Sequence, residues 1–291
     1  MSTKVIEELL KDAPPGQTKE VLKDVKVLVG DDAKVEEVAK ATLRQYDMRN
    51  MTLASYKFGG EERSLVLSRH GEVTSDSGVY YDPSTKQCVR YDHLKQEGEV
   101  TDDAREEGKR LEGDEATEET RKALEKCLEE SYMKENYPFG ACAVYSSVGG
   151  GGKEYAVCIS STVYKPRGYW SGRWTSEWIL TPAKDQSSFC LKGKCDVATH
   201  YYENGNVQFR SNREFVVNDQ RCGKDELAKE VVKSIALEEL KYQEDLQESL
   251  SDFAETTFKK LRRQLPLTQL KFPWQTGAAS LASELMKRET S

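Results

Sequence analysis

Three histidines (His70, His93, His200) and seven cysteines (Cys88, Cys127, Cys142, Cys158, Cys190, Cys195, Cys222) are the side chains of this 291-residue chain suited to nucleophilic or metal chemistry. Zinc sites take several such ligands a few residues apart. No histidine here has a second His or Cys at that spacing, and the cysteines form no CxxC pair. No metal, no cofactor and no catalytic residue is expected, and nothing local supports a Cys–His pair. An odd number of scattered cysteines reads as free thiols in a reducing compartment. Gly149-Gly150-Gly151-Gly152-Lys153 is rich enough in glycine for a phosphate loop, but Glu154 follows the lysine where a Ser or Thr opening a helix is required. A flexible hairpin turn is the expectation there.

Two clusters remain. Tyr169-Trp170-Ser171-Gly172-Arg173-Trp174-Thr175-Ser176-Glu177-Trp178 reads as a turn and a strand that buries indoles on one face, with Arg173 and Glu177 on the other. The rival is a stacking platform for a ligand or nucleic acid. A net charge of −7 favours the core and argues against nucleic acid as a partner. Lys259-Lys260-Leu261-Arg262-Arg263, with Lys271 beyond, lies in a stretch without Asp or Glu between Phe258 and Ser283. These cations either complement a helix C-terminus or dock an acidic partner. Lys259 and Arg263 share a helical face. Composition leaves both readings open.

The elements that must position these groups follow from periodicity. Residues 1–50 carry three apolar stripes (Val5, Ile6, Leu9, Leu10; Val21, Leu22, Val25, Leu28; Val35, Val38, Ala39, Thr42, Leu43, Tyr46) broken at Pro14-Pro15-Gly16 and Gly30. A helical layer is expected. Residues 51–110 have the strand-and-turn texture of a small β globule, with an acidic surface loop from Lys95 to Glu119. A helix is expected over 111–135, and an antiparallel meander over 136–218, where Asn204-Gly205 marks a hairpin. A long amphipathic helix is read over Lys224–Arg263, in a segment bounded at 223–265, with an apolar seam of Leu227, Val231, Ile235, Tyr242, Leu246, Leu250 and Phe253. Residues 266–291 form a weakly amphipathic tail. The fold class is α+β. Met1–Leu10 is too acidic for a signal peptide, and no run approaches the roughly 18 apolar residues of a membrane span. The cytoplasm is expected. At 37% hydrophobic and 32% charged, the core is lean, which points to a partner subunit.

Phe258-Lys259-Lys260-Leu261-Arg262-Arg263-Gln264-Leu265-Pro266-Leu267-Thr268 resembles the C-terminal signature of F-actin-capping protein α subunits. Trp170–Trp178, His200–Gln208, Ala13–Gly16, Gln45–Met48 and Tyr91–Lys95 are similar to further strings of that family, so the likeness spans residues 13 to about 274. The resemblance implies an N-terminal helical stalk, a small β globule, an antiparallel sheet completed by the capping protein β subunit in an obligate heterodimer, a long helix across the sheet, and a mobile C-terminal tail. It implies calcium-independent capping of actin filament barbed ends in the actin cytoskeleton, blocking subunit exchange. The actin-binding residues it implies are Lys259, Lys260, Arg262, Arg263, Lys271, Trp274, Leu281 and Leu285. Gln269 stands where the family has an arginine, and Gly277-Ala278-Ala279 weakens the tail helix. Proteins with capping-protein-interaction motifs and acidic phosphoinositides are further partners implied. The alternative is a capping-family subunit serving mainly an actin-related-protein filament.

Overall fold

In the computed structural model the described residues are 2–74, 77–146, 154–203, 206–223 and 226–253. The chain opens with three helices, α1 (Thr3–Lys11), α2 (Thr18–Val29) and α3 (Asp32–Arg49). Local chemistry sets their ends. The Ser2 side chain accepts from the Val5 N–H, Asp31 accepts from the Lys34 N–H, and Gly30 closes α2 with a left-handed φ of 69°. The stripes meet in one cluster of Ile6, Leu10, Leu22, Val25, Val35, Ala39 and Leu43. Val27 and Leu28, in the last turn of α2, stay exposed.

Two small antiparallel sheets follow. Strand β1 (Leu53–Phe58) pairs with β2 (Glu61–Val66) across the Gly59-Gly60 turn. Strands β3 (Val79–Asp82), β4 (Gln87–Asp92) and β5 (Glu97–Thr101) form the other. Ala54, Tyr56, Leu65, Leu67, Tyr80, Val89 and Tyr91 make a shared core. The acidic stretch from Lys95 to Glu119, expected as an open loop, is instead β5, α4 (Arg105–Lys109) and the start of α5 (Glu115–Cys127). Its low hydrophobicity misled because the charges find partners: Arg90 with Asp103 at 2.9 Å, Lys86 with Glu112 at 2.6 Å. Ala104 and Leu111 pack on Val79, Tyr81 and Cys88, and Asp114 caps α5 by accepting from the Thr117 N–H at 2.8 Å. Gly98 lets β5 approach β1 closely, since a Cβ there would sit 2.9 Å from the Ser55 carbonyl oxygen. After α5 the helix widens into a π segment, Leu128–Met133, and ends in α6 (Lys134–Asn136).

The main sheet has five antiparallel strands, each beside its sequence neighbour: β6 (Gly140–Ser146), β7 (Tyr155–Lys165), β8 (Trp170–Pro182), β9 (Ser188–Tyr201) and β10 (Val207–Arg221). Strand β8 is central, and its side chains alternate between the two faces. On one face Trp178 is fully buried, sits over Gly193 of β9 and stacks on Phe215 of β10 at 5.0 Å. The other face carries Arg173, Thr175, Glu177 and Ile179, and there Ala143, Tyr145, Ala156 and Cys158 pack against Met51 and Val66. A β-bulge interrupts β10 between Val217 and Gln220, where Asn218 and Asp219 face the single residue Cys190.

Helix α7 (Leu227–Phe253) is the described part of the long helix. Residues to Ala236 belong to one compact unit and those from Leu237 to a second. In the first, Leu227, Val231 and Ile235 are buried as the seam predicts. In the second, Leu250 of the expected seam is exposed, together with Leu237 and Leu240.

The Trp178–Gly193 contact leaves no room for a methyl group, because an added Cβ would lie 2.2 Å from the ring. Gly193→Ala is expected to cost about 1–3 kcal/mol, read as a lower urea midpoint followed by tryptophan fluorescence. Gly172→Ala, whose Cβ would find its nearest atom at 3.5 Å, is expected to leave the midpoint nearly unchanged.

Candidate functional site

Helix α3 ends over the charged face of β8, and a single guanidinium joins the two layers. Arg173 Nη1 donates to the Tyr46 hydroxyl at 3.0 Å and Nη2 donates to Asn50 Oδ1 at 2.6 Å. The same group lies 5.6 Å from the centre of the Tyr46 ring. Tyr46 in turn donates to the Ala13 carbonyl at 3.0 Å, so the α1–α2 connection is tied to the same point. Burial pushes the Tyr46 phenol up, and the charge on Arg173 opposes that shift. Beside it, Gln17 Nε2 donates to Ser171 Oγ at 3.0 Å and contacts His200 Nδ1 at 2.9 Å. An amide nitrogen only donates, so Nδ1 accepts and the opposite Nε2–H serves Asn206 Oδ1 at 3.1 Å. Gly16 holds the close approach, with φ of 71° and Tyr164 Cβ 2.9 Å from where its own Cβ would be.

Between the end of α3 and strands β8–β10 lies a cleft of about 350 Å³, lined by Lys11, Gln45, Tyr46, Arg49, Asn50, Arg173, Asp196 and Arg210 among others. Arg210 grips Asp12 through Oδ1 and the backbone carbonyl, both at 3.1 Å. Asp196 pairs with Lys194 at 2.9 Å. Arg49 is exposed and has no ion-pair partner among the described residues.

The remaining histidines act as ties. His93 Nδ1 meets Asp47 Oδ2 at 2.7 Å and its Nε2 meets the Tyr80 hydroxyl at 3.2 Å, joining α3 to the β3–β4–β5 sheet. The arrangement has the outline of a proton relay, but Asp47, His93 and Tyr80 are all buried, which leaves the relay no substrate-facing end. Burial raises the Asp47 carboxyl, and the His93 hydrogen bond opposes this. Glu177 Oε1 accepts from Arg69 Nη2 at 2.7 Å and contacts His70 Nε2 at 2.5 Å. The His70 hydrogen bond holds the Glu177 carboxyl below its usual range, against burial and with help from Arg69. Burial pushes the Cys158 thiol up to about 12 and the Cys142 thiol higher still, so neither offers a thiolate. No group of three His, Cys, Asp or Glu among the described residues is arranged to hold a metal.

The aromatic cluster divides as its alternation requires. Trp178 is core, Trp174 lies 6.3 Å from Tyr137, and Trp170 sits at the sheet margin with Lys165 5.3 Å from its ring centre. Only Trp170 and Tyr169 are exposed, too little for a stacking platform. Lys259, Lys260, Arg262, Arg263, Lys271, Trp274, Leu281 and Leu285 lie outside the described residues, as do Gly149–Lys153 and Asn204-Gly205. Two features went unread in the sequence: the cationic cleft, and which strand of the main sheet lies at its long edge among the described residues. Along β10, Gln208, Arg210, Asn212, Glu214 and Val216 are exposed while Phe209, Ser211, Arg213, Phe215 and Val217 are less so, the period-two pattern of a strand with one solvated face.

The family model described as F-actin capping protein alpha subunit matches residues 6–284. The chain belongs to that family. It is similar to the F-actin-capping protein subunit alpha of Dictyostelium discoideum, 33% identical over 279 residues that cover 96% of this chain and 95% of the relative. The Caenorhabditis elegans subunit alpha is 30% identical over 287 residues, covering 98% and 96%. A solved homodimeric actin capping protein alpha subunit from Plasmodium berghei shares the fold, with a TM-score of 0.72 at 20% identity over 91% of this chain and 96% of that one. F-actin capping protein alpha subunits are structural, actin-binding proteins of the cytoskeleton and not enzymes. No described helix is long and apolar enough to cross a membrane.

A carboxyl held low in the folded chain contributes stability above the unfolded carboxylate pKa and loses it as pH falls through the lower folded value. Glu177 is such a group. Glu177→Gln is expected to lower stability at neutral pH and to flatten the acid limb below about pH 4, measured as urea midpoints across a pH series. An acid limb identical in the two proteins would remove this role for the His70–Glu177–Arg69 cluster.

Proposed function

We propose that this chain is the α half of a heterodimer with a capping protein β subunit, and that the pair caps actin filament barbed ends. Binding is independent of calcium and blocks both subunit addition and subunit loss. The observation that carries the reading is the free side of β10, a 15-residue strand hydrogen-bonded only to β9 among the described residues. An edge of that length is a template for another chain. A partner sheet added there would continue the five strands into one larger sheet, and would account for the lean core.

Barbed-end contact falls to Lys259, Lys260, Arg262, Arg263 and Lys271, followed by Trp274, Leu281 and Leu285. The family match runs to residue 284, through the basic segment and almost all of the tail, which supports this assignment. The physics is an encounter and then a latch. Clustered cations raise the association rate with an acidic filament end and make it salt-sensitive. Apolar contacts from residues 266–291 then slow departure. Single exposed ion pairs contribute about 1 kcal/mol or less, so tight capping needs several desolvated contacts and both subunits' tails. Gln269 in place of a family arginine, and Gly277-Ala278-Ala279 in the tail, shift more of that load to the partner's tail. Proteins bearing capping-protein-interaction motifs and acidic phosphoinositides are further partners, the latter drawn to the same basic segment. The place of action is the cytoplasmic actin cytoskeleton.

Co-expression with a β subunit is expected to give a stable one-to-one dimer that stops barbed-end elongation equally with calcium or with a chelator. Lys259→Ala combined with Arg263→Ala is expected to weaken capping by about 10- to 100-fold, more at low salt, while the dimer stays folded. Unchanged affinity of the double variant across several salt concentrations would refute the site assignment.

A further inference from the structure

The cleft beneath the end of α3 reverses the sign of the chain around it. Lys11, Arg49, Arg173 and Arg210 line it against the single carboxylate of Asp196, in a protein whose net charge is −7. Two of them already have a carboxylate, Lys11 from Glu7 at 3.8 Å and Arg210 from Asp12 at 3.1 Å, and the other two have none among the described residues. Both hydrogen bonds of Arg173 end on neutral oxygens, those of Tyr46 and Asn50. Arg49 has no ion-pair partner among the described residues, and Asp196 is already engaged by Lys194 at 2.9 Å. Positive groups gathered in a partly enclosed space, where screening is weaker than in water, favour the arrival of a negative one.

The position of the cleft says where that charge comes from. Arg210 and Asn212 form its outer wall, and both belong to the exposed face of β10, the strand hydrogen-bonded only to β9 among the described residues. Side chains directly opposite across an antiparallel pair have Cβ atoms about 4.5–5.5 Å apart, and opposite charges there stabilise the pair while like charges oppose it. A strand laid along β10 therefore points every second side chain at the mouth of the cleft.

We propose that the partner strand added to β10 carries an Asp or Glu opposite Arg210 or Asn212, and that its carboxylate enters the cleft and pairs with Arg49 and Arg210. This rests on the heterodimer reading above and deepens it: the free edge supplies hydrogen bonds of no particular sequence, and the cleft supplies a charge rule for register and partner choice. A strand with Lys or Arg at that position, or one slipped by a single residue, would leave the cations facing one another.

The test uses the full-length chain co-expressed with its β subunit. Arg49→Glu is expected to raise the dimer dissociation constant about tenfold at low salt and Arg49→Gln by less, with the difference from wild type shrinking as salt rises. Arg49 is on the surface, and thermal unfolding of each co-expressed variant dimer, at concentrations that keep it assembled, separates a folding defect from lost pairing. In a second arm Arg49→Lys is treated with a zero-length carbodiimide, which joins an amine only to a carboxylate that touches it. A cross-link to an Asp or Glu of the β subunit, mapped by mass spectrometry, supports the proposal. Overturning results are a dimer whose stability is indifferent to Arg49→Glu, a cross-link confined to this chain, or inorganic phosphate binding in the cleft of the intact dimer with loss on Arg49→Glu. Each leaves the heterodimer itself standing. Failure of the wild-type chains to associate would sink the heterodimer and this contact together.

Discussion

The alternation of strand β8 is the constraint on which the remaining structure depends. A central strand must bury both faces, and this one does so with opposite chemistry: an indole seated over glycine on one side, and charged groups used as ties on the other. The apolar face needs only shape. The polar face needs partners for each donor and acceptor, because a buried polar group without one is costly. Arg173 finds them in the last turns of α3, and Glu177 finds them in Arg69 and His70. The helical layer and the segment after β2 are therefore fixed to the main sheet by polar geometry as well as by the apolar packing of Met51 and Val66.

Much of this was legible from residue order alone. The helical stripes, the meander and the division of the Trp170–Trp178 run between two faces all follow from periods of 3.6 and 2. What hydropathy could not show was the order in the acidic stretch. Its strand and helices are held by a ladder to β4, by ion pairs and by a cap, none of which registers as apolar content. Each histidine is tied within the fold to a partner distant in sequence, which residue order does not show: Asp47 for His93, Glu177 for His70, Gln17 for His200. The cationic cleft was illegible for the same reason. Its arginines come from α3, β8 and β10, and only the folded chain collects them.

The chain also separates its tasks by location. The filament contacts proposed above are near the C-terminus, whereas the described body consists of scaffold and of one 15-residue edge strand hydrogen-bonded only to β9 among the described residues. Such a division would let affinity be tuned apart from the scaffold.

Strand β10 has one further property that bears on self-assembly. Open edges are hazards in proteins because identical strands can stack without limit, rung upon rung, into fibres. Here the ladder slips after Val217, Asp219 turns to a positive φ of 46°, and its N–H is offered to the Cys190 sulfur instead of to a carbonyl. Twisted at that end, the edge is no flat template for repeated copies of itself. A member of a filament-capping family is thus built to stop its own strand-by-strand growth as well.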